Sequence, residues 1–225
     1  MGYGDFLLAA GQAKLMHQKS GKKIAIGNGN EIQQHELYGY VPYLCNPRKY
    51  DGPCEWLFDW VGHRDYILRK ENNGGKQLIF NPDYKAEPCV LDIEPTPNDY
   101  IIIEPEAKCR PGKKWYHYQD VIDAFPNEKW LQFNMPTLEG VDVVKTNLVE
   151  AAKWMAGCRF YVGTEGFLHH LAAAFGKTGV VLFGGYAPPD ILGYEHQRNI
   201  AVEAPGELGH FTRTGAMHRI PPERV

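Results

Sequence analysis

The tetrapeptide Gly163-Thr164-Glu165-Gly166 has the composition of an anion-binding turn. Its glycines let a ligand approach the backbone closely, and a helical pattern opens directly after it at 167–175. A helix start offers free N–H groups and the positive end of its dipole, so phosphate is the natural guest. Glu165 repels phosphate and is expected to accept from sugar hydroxyls or to cap the helix. The same four residues also read as an ordinary strand–helix turn with a capping Thr164. His169 and His170 are adjacent and project roughly 100° apart on a helix. One can face a ligand while the other packs, and a buried structural role is expected for at least one.

Two further loops carry candidate chemistry. Residues 104–115 gather Lys108, Arg110, Lys113 and Lys114 between a strand and a helix. Cations there can neutralise a diphosphate leaving group, and a solvated basic loop is the alternative. At the N-terminus, Gly2-Tyr3-Gly4-Asp5 sets glycines beside a carboxylate at a helix start. Asp5 is either a general base or a favourable N-terminal cap. Gly184-Gly185-Tyr186 follows an apolar run and reads as a ligand-edge or structural turn. Gly27-Asn28-Gly29 lacks the third glycine of a dinucleotide fingerprint.

The elements that must position these loops follow an α/β rhythm. Residues 5–19 read as a helix with Phe6, Leu7, Ala10, Ala13, Lys14 and Leu15 along one stripe, stopped by Gly21. A strand follows at 22–26. Residues 38–84 are irregular and aromatic, with Trp56, Phe58 and Trp60 close together and one strand expected at 77–80. The two prolines of 94–99 mark a linker. Beyond it, strands are expected at 100–103, 129–133, 159–162, 179–183 and 199–202, with helices at 115–125, 146–156 and 167–175. Such alternation implies a parallel sheet with crossover helices, whose ligands sit at the carboxyl ends of the strands. The tail at 204–225 is expected to be irregular.

The chain has 225 residues, 44% of them hydrophobic and 23% charged, with a net charge of −3. That is a globular composition, and it gives no electrostatic case for a general nucleic-acid coat. Cys45, Cys54, Cys89, Cys109 and Cys158 are unevenly spaced without a CxxC pair, so neither a disulfide framework nor a structural zinc site is expected. The default environment is a reducing cytosol. No signal-peptide core or membrane span is read, and an acceptor at a membrane edge stays open.

The run from Thr164-Glu165-Gly166-Phe167-Leu168-His169 through the alanine-rich 171–175 to Val180-Val181-Leu182-Phe183-Gly184 resembles the carboxyl-terminal domain of the heptosyltransferases, glycosyltransferase family 9. Lys113-Lys114-Trp115 is similar to the phosphate-side loop of that family, and Gly2-Tyr3-Gly4-Asp5-Phe6 to its opening glycine-bearing loop. The resemblance implies an α/β fold of the GT-B kind with two Rossmann-like domains. Residues 1–97 would form a reduced acceptor-side domain and 98–225 the donor-binding one. It further implies metal-independent transfer of a sugar from a nucleotide-diphosphate donor to a hydroxyl acceptor, with no cofactor beyond the donor substrate. Asp5 would take the acceptor proton, and Gly2, Tyr3 and Gly4 would lie on the acceptor side. Lys113 or Lys114 would meet the diphosphate, while Thr164, Glu165, Gly166, His169, His170 and Gly184 would border the donor. The acceptor stays open between a lipopolysaccharide-type glycan, a modified nucleobase and a small molecule. A nucleotide or sugar-phosphate binding protein without catalysis, or an epimerase or hydrolase on the same fold, are the alternatives.

Overall fold

The computed structural model describes residues 2–59, 63–72, 76–105, 113–134, 137–184, 187–202 and 216–225, with the backbone alone at 72, 76, 77 and 216. Lys108, Cys109 and Arg110, Trp60, Gly185 and Tyr186, and residues 204–215 of the tail therefore lie outside the described residues.

Helix α1 (Tyr3–Ser20) starts where the Gly2 N–H donates to the Asp5 carboxylate at 3.0 Å. It stops at Gly21, whose φ of 70° is left-handed and whose N–H donates to the His17 carbonyl. Phe6 through Gly11 are all buried, so the first half of α1 is enclosed on every side rather than along one stripe. The expected stripe fails at Leu15, which is exposed, because the second half of the helix emerges from the core. Strand β1 (Lys23–Gly27) follows and pairs in parallel with β2 (Cys54–Phe58). A hairpin, β3 (Ile67–Asn72) and β4 (Lys76–Phe80), completes the first part. Only β4 of these last three strands is expected from the sequence.

The linker holds no regular element, and after it six parallel strands form one sheet. These are β5 (Ile101–Glu104), β6 (Trp130–Phe133), β7 (Asp142–Val144), β8 (Phe160–Thr164), β9 (Gly179–Phe183) and β10 (Arg198–Ala201). Their order is β10-β9-β8-β5-β6-β7. Helices α2 (Tyr118–Ala124), α3 (Leu148–Gly157), α4 (Phe167–Ala174) and the short α5 (Pro189–Leu192) cross between them. Alternating side chains divide the core. Ile102, Tyr161, Val181 and Phe183 pack with α1, α3 and α4, while Ile101, Ile103, Val162, Val180 and Leu182 pack with α2 and the tail.

Three differences from expectation have local causes. Helix α2 begins at Tyr118 rather than Trp115, because the Trp115 ring turns inward and its indole N–H donates to the Ile220 carbonyl at 2.8 Å. The three-residue edge strand β7, largely exposed, is too short to leave an alternating pattern. Strand β8 runs on through Gly163 and Thr164, since both pair with β9, and Gly163 with β5 as well. Gly163 is required there: a Cβ would lie 2.3 Å from the Tyr161 hydroxyl.

Candidate functional site

The strand order reverses between β5 and β8, which leave the sheet in opposite directions of connection. A crevice opens at such a point, outside the carboxyl ends of the strands. Here it is framed by Glu104 at the end of β5 and by Thr164-Glu165-Gly166 at the end of β8.

Gly166 is the N-cap of α4, in extended backbone, and no side chain caps the helix. This corrects the expectation that Thr164 or Glu165 serves as the cap. Thr164 is buried as the last residue of β8, and the Glu165 N–H is spent on the Leu182 carbonyl. A Cβ on Gly166 would meet nothing closer than 4.0 Å. The first turn of α4 therefore keeps N–H groups that no side chain caps, the donors an anion site at a helix start uses.

Lys113 reaches this turn. Its ammonium donates to the Glu165 carbonyl at 3.0 Å and forms an ion pair with the Glu165 carboxylate. The two side chains are only 12% and 8% exposed. Lys114 is exposed, so of the two lysines the fold brings Lys113 to the crevice. Gly184 is buried at the end of β9, next to β8.

Both histidines are buried. His170 Nδ1 lies 2.9 Å from the Tyr194 hydroxyl, and Nε2 lies 4.0 Å from the Glu165 carboxylate. Burial lowers its pKa to about 3, the Lys113 charge adds to this, and Asp5 opposes it, so the ring is neutral. His169 is held well below its ordinary value by burial, then by His170 and Lys113; the Gln197 side chain opposes the shift. Neither ring nitrogen of His169 makes a well-formed hydrogen bond.

Helix α1 delivers the N-terminal residues to the same place. A Cβ on Gly4 would lie 3.2 Å from His170 and 3.5 Å from the Phe167 backbone, so this glycine lets α1 meet the start of α4. The Tyr3 ring packs on Phe167 at 5.4 Å. Asp5 is only partly accessible. It accepts from Tyr66 at 2.5 Å and Gly2 at 3.0 Å, and pairs with Arg64 at 2.8 Å. For Arg64, burial works against the charge, but Tyr66, Asp5 and Asp59 together raise its pKa. Nearby Asp59, just past β2, is buried with its carboxylate on Gln33 at 3.0 Å. Burial pushes its pKa up to about 7, with Asp5 contributing.

Arg64, Tyr66, Asp59 and Gln33 went unrecognised in the sequence because they lie in or beside the aromatic middle that shows no periodicity. The charged run Arg64-Asp65-Tyr66 inside that stretch was the available signal. Also unrecognised is a cleft of about 510 Å³ at the carboxyl ends of β5 and β6. Tyr3, Phe167, Glu104, Gln132, Asn134 and Thr146 are among its lining residues. The Thr146 hydroxyl is buried without a partner, and Asn134 holds a φ of 66°, the sole non-glycine residue with positive φ among those described. Among the described residues no three His, Cys, Asp or Glu side chains gather as a metal site, and no helix is long and apolar enough to cross a membrane.

Comparison with known proteins places the chain. Residues 80–219, more than half of it, match the model of glycosyltransferase family 9 (heptosyltransferase). The solved E. coli heptosyltransferase WaaC with ADP is 23% identical with a TM-score of 0.43, covering 51% of this chain and 41% of that one. E. coli ADP-heptose lps heptosyltransferase II is 23% identical with a TM-score of 0.45, covering 58% and 45%. A family 9 glycosyl transferase from Veillonella parvula DSM 2008 is 19% identical with a TM-score of 0.45, covering 56% and 43%. The matched region thus spans less than half the length of these three proteins. No curated protein matches the chain. On the extent of the family match, the chain belongs to glycosyltransferase family 9.

Proposed function

We propose that the chain transfers a sugar from a nucleotide-diphosphate donor to a hydroxyl acceptor, without a metal. The observation that carries this reading is the convergence of Lys113, the uncapped start of α4 and the Asp5 cluster at one crevice. Lys113 and the N–H groups of α4 supply positive charge where a diphosphate leaves. Because Lys113 is fastened to the Glu165 backbone carbonyl as well as to its carboxylate, it stays in place when phosphate oxygens compete for it. The cleft beside β5 and β6 is large enough for a nucleoside, with Thr146 and Gln132 as polar partners. Asp5 takes the acceptor proton, and neutral His170 keeps the space between Asp5 and Glu165 free of a further charge. In this reading residues 1–97 are the acceptor side of a GT-B-like pair and 98–225 the donor side. The two-stranded parallel sheet of the first and the six-stranded sheet of the second support that division.

A second reading, donor binding without turnover, is favoured by one fact. The Asp5 carboxylate is already occupied by Arg64, Tyr66 and Gly2, and a base needs a free lone pair. The two readings separate on Asp5→Asn assayed with a panel of nucleotide-diphosphate sugars and acceptors. Transfer is expected to fall about 10²–10⁴-fold with donor affinity kept. Full transfer by the variant refutes the base role, and calorimetric donor binding with no turnover by the parent chain favours the second reading.

A further inference from the structure

Cys45 and Cys54 meet outside the crevice, on the first, two-stranded sheet. Their sulfurs are in direct contact, Sγ to Sγ at 2.7 Å. Backbone pairing fixes both. The Cys45 N–H donates to the Ile24 carbonyl at 2.9 Å, and the preceding Leu44 bridges Ile24. Cys54 opens β2 in register with Lys23 of β1. Both thiols are thus anchored to neighbouring residues of one strand, and no loop has to move for the sulfurs to join. The spacing of nine residues carries no disulfide signal in the sequence, so the contact is a product of the fold.

The two sulfurs are not equivalent. Cys45 is buried, and burial together with the Cys54 contact pushes its thiol up to about 12, against the Lys23 charge. Cys54 is half-buried and is the sulfur a reagent reaches first. We propose that Cys45 and Cys54 form a reversible intrachain disulfide, made by exchange with a small-molecule disulfide of the glutathione type. The Cys54 thiolate attacks one sulfur of the reagent, whose S–S bond breaks and whose other half leaves as a thiolate that takes up the released proton. The Cys45 thiol then loses its proton, attacks Cys54 and expels the second half. Two protein thiols and one reagent disulfide become one protein disulfide and two reagent thiols. The new bond ties the segment before β2 to β2 itself. That strand runs directly to Asp59, whose N–H donates to the Gly27 carbonyl at the end of β1. Oxidation therefore stiffens the small sheet that leads to Asp59.

The test is incubation of the full chain with oxidised glutathione at rising ratios to reduced glutathione, acid quenching, alkylation and peptide mass mapping. Two of the five cysteines are expected to resist alkylation, in one cross-linked peptide joining Cys45 and Cys54. The Tm of the oxidised chain should rise and return on reduction. Cys45→Ser should retain glutathione on Cys54, because nothing displaces it. Full alkylation of both residues in the oxidised parent chain overturns the proposal. So does a glutathione adduct on Cys54 that persists beside a free Cys45. A parent-chain link formed while Cys54→Ser carries glutathione on Cys45 overturns the order of attack.

Discussion

At the scale of single residues, the Lys113–Glu165 pair links stability to the proposed donor binding. Both side chains are nearly enclosed, so each is the main compensation for the other's lost hydration. Lys113→Met leaves a buried carboxylate without its cation and should cost about 3–5 kcal/mol in urea unfolding. Adding Glu165→Gln removes that orphan charge, so the double variant should regain most of the loss. Its affinity for nucleotide diphosphates should stay weak, since the ammonium is gone in both. If the double variant is no more stable than Lys113→Met, the pair is not the coupled unit described. If it binds nucleotide diphosphates as the parent does, Lys113 is not a phosphate ligand.

At the scale of elements, α1 decides whether the two ends of the chain's chemistry meet. It is held from several sides. Gln12 donates to the Lys85 carbonyl, Lys14 pairs with Glu87 at 2.5 Å, and the Tyr43 hydroxyl donates to the Ala10 carbonyl. Gly11 lies where the segment around Glu87 crosses the helix, and a Cβ there would sit 1.8 Å from the Glu87 carbonyl oxygen. In an exposed helix interior, Gly→Ala gains about 1 kcal/mol. Here the sign inverts, because backbone must move to admit the methyl group. Gly11→Ala should lose about 1–3 kcal/mol and lower the Tm. Gly4→Ala should be milder, since its nearest neighbour is a ring carbon of His170 at 3.2 Å. A Gly11→Ala chain with a raised Tm would show that α1 docks elsewhere.

At the scale of the whole molecule, the buried ionisable groups set a pH dependence. His170 titrates at about 6.5 unfolded but about 3 folded. Between those values the unfolded chain binds the extra proton, so this contribution is complete above about pH 6.5 and is lost as pH falls toward 3. Its slope approaches about 1.4 kcal/mol per pH unit. His169 acts in the same direction. Asp59 opposes them: its carboxyl is raised to about 7, so its contribution is full below the unfolded value of 3.8 and fades as pH rises through 7. Two buried imidazoles outweigh one carboxyl, and the Tm should climb between pH 4.5 and about 6.5. His170→Asn, which removes the titrating ring, should flatten that climb. An unchanged slope would mean that His170 is protonated in the folded state.

The sequence by itself determined the periodic half of this protein and the chemistry of its turns. Strands β5, β6, β8 and β9 were legible because burial on both faces leaves continuous apolar runs, α3 because packing on one side leaves a 3.6 period, α1 and α4 as longer apolar segments, and β10 only from the apolar pair around Ile200. Gly21 as a stop and Gly166 as a break between strand and helix follow from local backbone chemistry, which needs no tertiary context. The middle was not legible, since β2 and β3 are short and irregularly exposed and lack alternation. Only the tertiary structure decided that Lys113 rather than Lys114 meets Glu165, and that no side chain caps α4. It alone set Arg64, Tyr66 and Asp59 around Asp5 and brought the Cys45 and Cys54 sulfurs into contact. Each of these depends on how separate elements are placed against one another. Such contacts are fixed by how elements pack, and packing leaves no local trace in residue order.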